Sequence, residues 1–178
     1  MENNRLDDSD LKKIIEAVIF YSKKPVSLRK LSANIPEAET DRIREILTSI
    51  GDECEENHGF KLAKIAGGYL FLTDETWAEW IKRFESQSSE VKLSNAALET
   101  LAIIAFKQPV TRAEVEAIRG VGCSQVINGL IEKKLVTIKG RSPELGAPLL
   151  YGITKEFLSF FGLDSVRDLP APDELGAV

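Results

Sequence analysis

Few residues in this chain have the types and spacing that catalytic chemistry needs. His58 is the only histidine. It stands before Gly59 at the end of a helical pattern, so it reads as a cap or an exposed turn residue. A lone imidazole without a carboxylate at coordinating spacing makes a poor metal site or general base. Cys54 and Cys123 are the two cysteines, and two thiols outside any CxxC pattern are usually reduced and packed. Gly120-Val121-Gly122 lacks the further glycine of a dinucleotide loop and the Gly-Lys-Ser/Thr of a phosphate loop, and reads as helix punctuation. No nucleophile–base pair stands out. The expectation is a protein with no catalytic residue, no metal and no cofactor.

Recognition residues are better represented. A helix is expected from Ser124 to Lys134, and Ser124, Gln125 and Asn128 at its start carry groups that can read base edges in a DNA groove. Lys133 and Lys134 lie at its end, and Lys139 and Arg141 on the β-rich run that follows. Gln125, Lys133, Lys134, Lys139 and Arg141 are therefore the candidate DNA contacts. Charge argues against a strong role. The net charge is −5, and it is divided between residues 1–92, with 14 Lys/Arg against 18 Asp/Glu (−4), and residues 93–178, with 9 against 10 (−1). Proteins that bind by neutralising phosphates usually carry a basic excess. At most weak direct DNA contact is expected.

The elements that position these residues are legible from periodicity. Ser94 precedes an apolar run in which Leu98, Leu101, Ala102 and Ala105 fall at i, i+3, i+4 and i+7, read as the core-facing stripe of a helix ended by Pro109. Thr111 and Glu114 form a capping box for a second helix, Ala113 to Arg119. The Ser124 helix is the third, with Val126, Ile127, Leu130 and Ile131 inward. Leu135–Lys139 and Leu149–Ile153 then pair across a Gly/Pro loop as a hairpin. Three helices followed by a hairpin make a winged helix. Thr154 caps a last short helix closed by Gly162.

The first half repeats this plan. Ile19 matches Ile103, Lys23 matches Lys107, Pro25-Val26-Ser27 matches Pro109-Val110-Thr111, and Ile43, Ile46 and Leu47 match Ile127, Leu130 and Ile131, all at a shift of 84. A shift shared across elements indicates duplication. Leu11, Ile14, Ile15 and Val18 form the first stripe behind Asp8/Ser9, Ser27 caps a short helix, and Asp41 to Glu56 is the third. Phe60–Ile65 and Tyr69–Thr73 flank Ala66-Gly67-Gly68 as the wing. Trp77, Trp80, Ile81 and Phe84 follow on one helical face, either covering the core or meeting a partner. The fold class is mainly α with small β-hairpin wings (α+β): two tandem winged-helix domains at 1–85 and 93–163, a linker at 86–92 and a flexible tail at 164–178.

Two helices are more apolar than a small domain needs: Ala17 to Tyr21 in one, Leu101 to Phe106 in the other. A domain of roughly 80 residues buries only about 60% of its surface. Such a helix is either central to the core or meets another chain. Ile19, Phe20 and Tyr21 are thus one candidate contact surface, and Ile103, Ile104 and Phe106 the other. No apolar run reaches the ~18 residues that span a bilayer, and the start lacks a signal-peptide pattern, so a cytoplasmic protein is expected.

The sequence also resembles the bacterial segregation and condensation protein B family. The resemblance runs along almost the whole chain. It is most specific at Leu93-Ser94 through Pro109-Val110-Thr111, at Ile118-Arg119-Gly120-Val121, and at Leu149 through Leu158 with Phe161-Gly162-Leu163. Ala66-Gly67-Gly68-Tyr69 with Leu72-Thr73 resembles the first wing. The resemblance implies two winged-helix domains, homodimerisation through the first, and binding of a kleisin subunit that bridges a structural-maintenance-of-chromosomes ATPase. It implies a role in chromosome condensation and segregation, at the nucleoid and without catalysis. One departure is Gly146-Ala147-Pro148, where the family pattern is Gly-Arg-Pro; Arg141 is retained. A winged-helix transcription regulator is the alternative.

Overall fold

A computed structural model describes residues 6–84 and 93–169. The linker at 86–92 and the tail from 170 onward lie outside the described residues. The chain divides into two compact units, Met1–Ser88 and Ser89–Val178, each mainly helical with a small antiparallel sheet.

In the first unit, α1 (Asp8–Tyr21), α2 (Leu28–Asn34) and α3 (Thr40–Asn57) precede a hairpin of β1 (Phe60–Ile65) and β2 (Gly68–Thr73). A 3₁₀ turn (Glu75–Trp77) and α4 (Ala78–Phe84) follow. The cap of α1 is Asp7 rather than Asp8 or Ser9: its carboxylate accepts from the Asp10 amide at 2.6 Å. Ser27 caps α2, accepting from the Lys30 amide at 3.2 Å. Ala66 and Gly67, at φ 51° and 75°, form the two-residue turn whose twist suits a tight hairpin. Leu11, Ile15 and Ile19 of α1 pack with Leu31 of α2 and with Ile43, Leu47 and Ile50 of α3.

In the second unit, α5 (Asn95–Lys107), α6 (Arg112–Arg119) and α7 (Ser124–Glu132) precede β4 (Val136–Arg141), β5 (Leu149–Ile153) and α8 (Lys155–Phe161). Ser94 caps α5 and Thr154 caps α8. Between α5 and α6 lies β3 (Val110–Thr111), a strand the sequence pattern did not announce. It pairs with β5, so the sheet has the order β3-β5-β4. The counterpart in the first unit is a single bridge, Val26 to Tyr69, with both amide–carbonyl distances 2.9 Å. That bridge explains Gly68: a Cβ there would stand 2.9 Å from the backbone carbons of Pro25 and Val26. Leu101, Ile104, Val115, Ile127, Leu130 and Val136 fill the second core. Within the stretch expected to be a tail, Ser165 and Asp168 form a capping box on a 3₁₀ turn (Val166–Asp168), and Leu169 packs against the core.

The internal repeat holds in the second and third helices, where the shift of 84 carries buried Leu31 onto Val115 and Ile43 onto Ile127. It fails in the first helix. There, 84 would carry Leu11, Ile15 and Ile19 onto Asn95, Glu99 and Ile103, and the first two of those are exposed. A shift of 86 carries the same three onto Ala97, Leu101 and Ala105, which face the core. The cause is the link: three residues separate Tyr21 from Pro25, and Gln108 alone separates Lys107 from Pro109. Two residues turn a helix by about 200°, enough to exchange its inner and outer faces. The expected stripe of Leu98 and Ala102 is therefore corrected. Leu98 is 43% exposed and Ala102 is exposed, while Ala97, Leu101, Ile104 and Ala105 point inward.

The capping box of α6 stands as the sequence implied. The Glu114 carboxylate accepts from the Thr111 amide and hydroxyl, both at 2.7 Å, and Thr111 Oγ1 accepts from the Glu114 amide at 3.3 Å. The backbone hydrogen bond from Thr111, with that of its hydroxyl, holds the Glu114 carboxyl below its ordinary pKa. A depressed carboxylate stabilises the fold above its unfolded pKa and loses that contribution as pH falls through the folded value. Glu114→Gln should therefore lower the thermal midpoint of unfolding at neutral pH. The gap from wild type should close in acid, as circular-dichroism melts at both pH values would show.

Candidate functional site

Nothing among the described residues assembles into a metal centre: no group of three or more His, Cys, Asp or Glu side chains is placed to hold an ion. His58 is the C-cap of α3, exposed, with its ring stacked on Phe60 at 4.8 Å. Cys54 and Cys123 are free and buried, and burial raises both thiols above their usual pKa. Gly120 ends α6 in the left-handed region, the punctuation its spacing suggested. No helix among the described residues is long and apolar enough to cross a membrane.

The notable features are on the surface. On α1, Phe20 and Tyr21 are 84% and 89% exposed. Ile19 is corrected: it is completely buried, because it lies one turn beyond Ile15 on the inner face, and it cannot meet a second chain without opening the core. On α5, Ile104 is corrected for the same reason, being 0% exposed. Ile103 and Phe106 are half-buried, with Ile103 packed against the core. Sequence reasoning missed Leu98, and it left Trp77 and Trp80 open between core and surface. Both tryptophans are exposed, and the Arg83 guanidinium sits 4.4 Å over the Trp80 ring. The signal that would have found Leu98 is the length of the link after each first helix.

The candidate DNA contacts are spread over three local settings. Gln125 is exposed at the start of α7. Lys133 is the helix C-cap, and Lys134 lies beyond the helix in the left-handed region at φ 60°. The carbonyl of Lys134 accepts from the Thr154 hydroxyl at 2.6 Å. Lys139 runs its stem across Gly152, where a Cβ would meet it at 2.7 Å. The Arg141 guanidinium donates to the Ala147 carbonyl at 3.0 Å and so ties the base of the β4–β5 loop. All five side chains are exposed, but Arg141 is already engaged within the β4–β5 hairpin and Lys139 lies along it.

A hollow of about 360 Å³ opens between α1 and α3, floored by Ile50, Cys54 and Phe71 and walled by Ala17, Phe20 and Phe60. A second hollow, about 670 Å³, shares Cys54, His58 and Phe60 with it and is bordered by Glu55, Glu56 and Asp74. Among these acids Asp74 pairs with Lys61 at 3.6 Å, while Glu55 and Glu56 form no ion pair among the described residues.

Paired helix-and-hairpin units with open apolar helix ends define a class of small proteins whose prominent features are contact surfaces. Within that class the assignment is specific. The family model described as segregation and condensation complex subunit ScpB matches residues 13–172, and the chain belongs to this family. It is 44% identical to the segregation and condensation protein B of Syntrophotalea carbinolica over 170 residues, covering 95% of this chain and 85% of that relative. It is 33% identical to the crystal structure of ScpB from Mycobacterium tuberculosis, over 89% of this chain and 98% of that one, with a TM-score of 0.43. A solved dimer of an ScpB N-terminal domain complexed with an ScpA peptide matches 42% of this chain and 93% of that one, at 24% identity and a TM-score of 0.39.

The charge balance generates a testable expectation. Binding that releases few counterions should be weak, so duplex DNA should be held no tighter than about 1 µM at physiological salt in a gel shift. Sub-micromolar affinity, abolished by Lys133→Glu with Arg141→Glu, would favour a transcription regulator.

Proposed function

We propose that this protein is a non-enzymatic adaptor subunit of a bacterial condensin-like complex, acting in chromosome condensation and segregation. Each unit is read as a winged helix, with α1–α3 and β1–β2 in the first and α5–α7 and β4–β5 in the second. The protein dimerises through its first unit and holds a kleisin, which links it to a structural-maintenance-of-chromosomes ATPase at the cytoplasmic nucleoid. The carrying observation is membership of the segregation and condensation family across residues 13–172.

The surface supports the assignment of roles. Phe20 and Tyr21 form an apolar end on α1, and a two-fold contact brings the same patch from both chains together. Ile103 and Phe106, on the same helix as exposed Leu98, offer the second unit an apolar face on which a kleisin segment can lie. Burying one such side chain contributes about 1.5–3 kcal/mol, so a charge there should weaken binding by about tenfold or more.

Sedimentation of the full chain should give a dimer at micromolar concentration, and Phe20→Asp with Tyr21→Asp should give a folded monomer. Phe106→Asp should leave the circular-dichroism spectrum intact and weaken kleisin binding in calorimetry. A wild-type monomer that fails to bind kleisin would refute the adaptor reading.

A further inference from the structure

The net charge of the first half conceals an uneven distribution. Residues 17–36 hold four cations, Lys23, Lys24, Arg29 and Lys30, and no Asp or Glu. The remaining residues of 1–92 hold 10 Lys/Arg against 18 Asp/Glu (−8). Lys23 and Lys24 follow the end of α1, and Arg29 and Lys30 lie in the first turn of α2. All four are exposed. Elsewhere in the first unit, Lys12, Lys13, Arg42, Arg44 and Lys61 each pair with a carboxylate. The four have no such pair among the described residues. The hairpin does not neutralise them either. The Val26–Tyr69 bridge brings β2 against this link, and residues 59–73 hold Lys61 and Lys64 but no carboxylate.

Two of these charges are set against their own helix. A helix N-terminus carries partial positive charge and favours Asp or Glu. The first turn of α2 has no acidic residue and holds Arg29 and Lys30 instead. Cations that oppose one another and a helix end are unfavourable alone, and an anion would relieve them. Position adds a second argument. Lys23 and Lys24 stand two and three residues past Tyr21, in the patch proposed to join two chains. A two-fold contact there brings the same link of both chains to its border. Four cations then become eight, and their mutual repulsion opposes the dimer unless a polyanion bridges them.

We infer that Lys23, Lys24, Arg29 and Lys30 form a phosphate-backbone contact through which the protein holds duplex DNA without reading its sequence. Duplex DNA presents one phosphate charge per ~1.7 Å of its axis, and its local two-fold axes match the symmetry of a protein pair. Four cations in each chain give a weak contact, in the roughly 1–100 µM range of non-specific binding at physiological salt. An anionic membrane is the poorer occupant. Lipid contact would draw on Phe20 and Tyr21 as apolar wedges, and the dimer uses those side chains. The contact is separate from the candidate residues on α7 and the β4–β5 hairpin. The inference rests on the adaptor reading only for the dimer, which doubles the number of cations.

The test uses the full chain and a fluorescein-labelled DNA duplex of mixed sequence, read by anisotropy at low and physiological salt, with oligomeric state followed by sedimentation. Wild type should bind, more weakly as salt rises. Lys23→Gln with Lys24→Gln should weaken binding at low salt about tenfold or more, and each lost phosphate contact should take about 0.9 from the slope of log K on log salt. Arg29→Gln with Lys30→Gln should do the same without lowering the thermal midpoint, since it removes cations from a helix N-terminus. Lys133→Gln with Lys139→Gln should leave binding unchanged. The duplex should also tighten the dimer, because linkage is reciprocal. Binding indifferent to both first-unit variants, or lost in the second-unit variant instead, would overturn the inference. So would phosphatidylglycerol vesicles that capture the chain through these lysines while the duplex does not, which would make a membrane the occupant. A wild-type monomer that binds the duplex and loses it in the first-unit variants removes the dimer reading and keeps the contact. A dimer that binds no duplex at low salt removes the contact and keeps the dimer.

Discussion

Each unit depends on one close backbone approach, in which the residue after a proline pairs with the returning strand of the hairpin. In the first unit Val26 exchanges two 2.9 Å hydrogen bonds with Tyr69; in the second, Val110 and Thr111 pair with Tyr151 and Leu150. This contact ties the link after the first helix to the hairpin. It also fixes where the next helix begins, since Ser27 and Thr111 are both the adjoining residues and the N-caps. Side chains must clear the approach, so Gly68 lies against Pro25 and Val26, and Gly152 leaves room for the Gln108 amide and the Lys139 stem. Gln108 then closes the second unit, its Oε1 accepting from the Ile153 amide at 2.9 Å.

That arrangement explains which parts of the fold were legible. Caps such as Ser27, Ser94, Thr111 with Glu114, and Thr154 announce helix starts because a hydroxyl beside an orphan N–H is a local device. The first hairpin is legible for the same reason, Ala66-Gly67 being a turn in its own right. The rotation of the first helices was not. In α5 apolar residues lie nearly all round, so periodicity gives no direction, and Leu98 and Ala102 suit a stripe as well as Ala97 and Leu101. What decides between them is the length of the link to the proline, a tertiary constraint. In α5 the misplaced register put Ile104 on the surface, and in α1 Ile19 continues the stripe of Leu11 and Ile15 by one turn; both side chains lie in the cores. The short strand β3 escaped because two residues are too few to show alternation.

The surface follows from the same duplication. Both units solve the core problem alike, with Leu31 and Ile43 in one standing where Val115 and Ile127 stand in the other. Their differences are therefore informative about use. The first unit keeps Phe20 and Tyr21 in the open and lengthens α3 with carboxylates; the second gathers Lys133, Lys134, Lys139 and Arg141 around its β4–β5 hairpin but engages Arg141 in the hairpin itself. Neither set resembles catalytic machinery. Both suit a subunit that joins chains, which agrees with its family of segregation and condensation complex subunits.

The most direct test of that account is amide hydrogen exchange on the full chain, alone and saturated with kleisin. Contact surfaces reveal themselves as local protection that the core, already slow to exchange, does not share. The account predicts new protection along α5, with the β4–β5 hairpin unchanged. Protection confined to the β4–β5 hairpin and α7, or no protection anywhere, would contradict it.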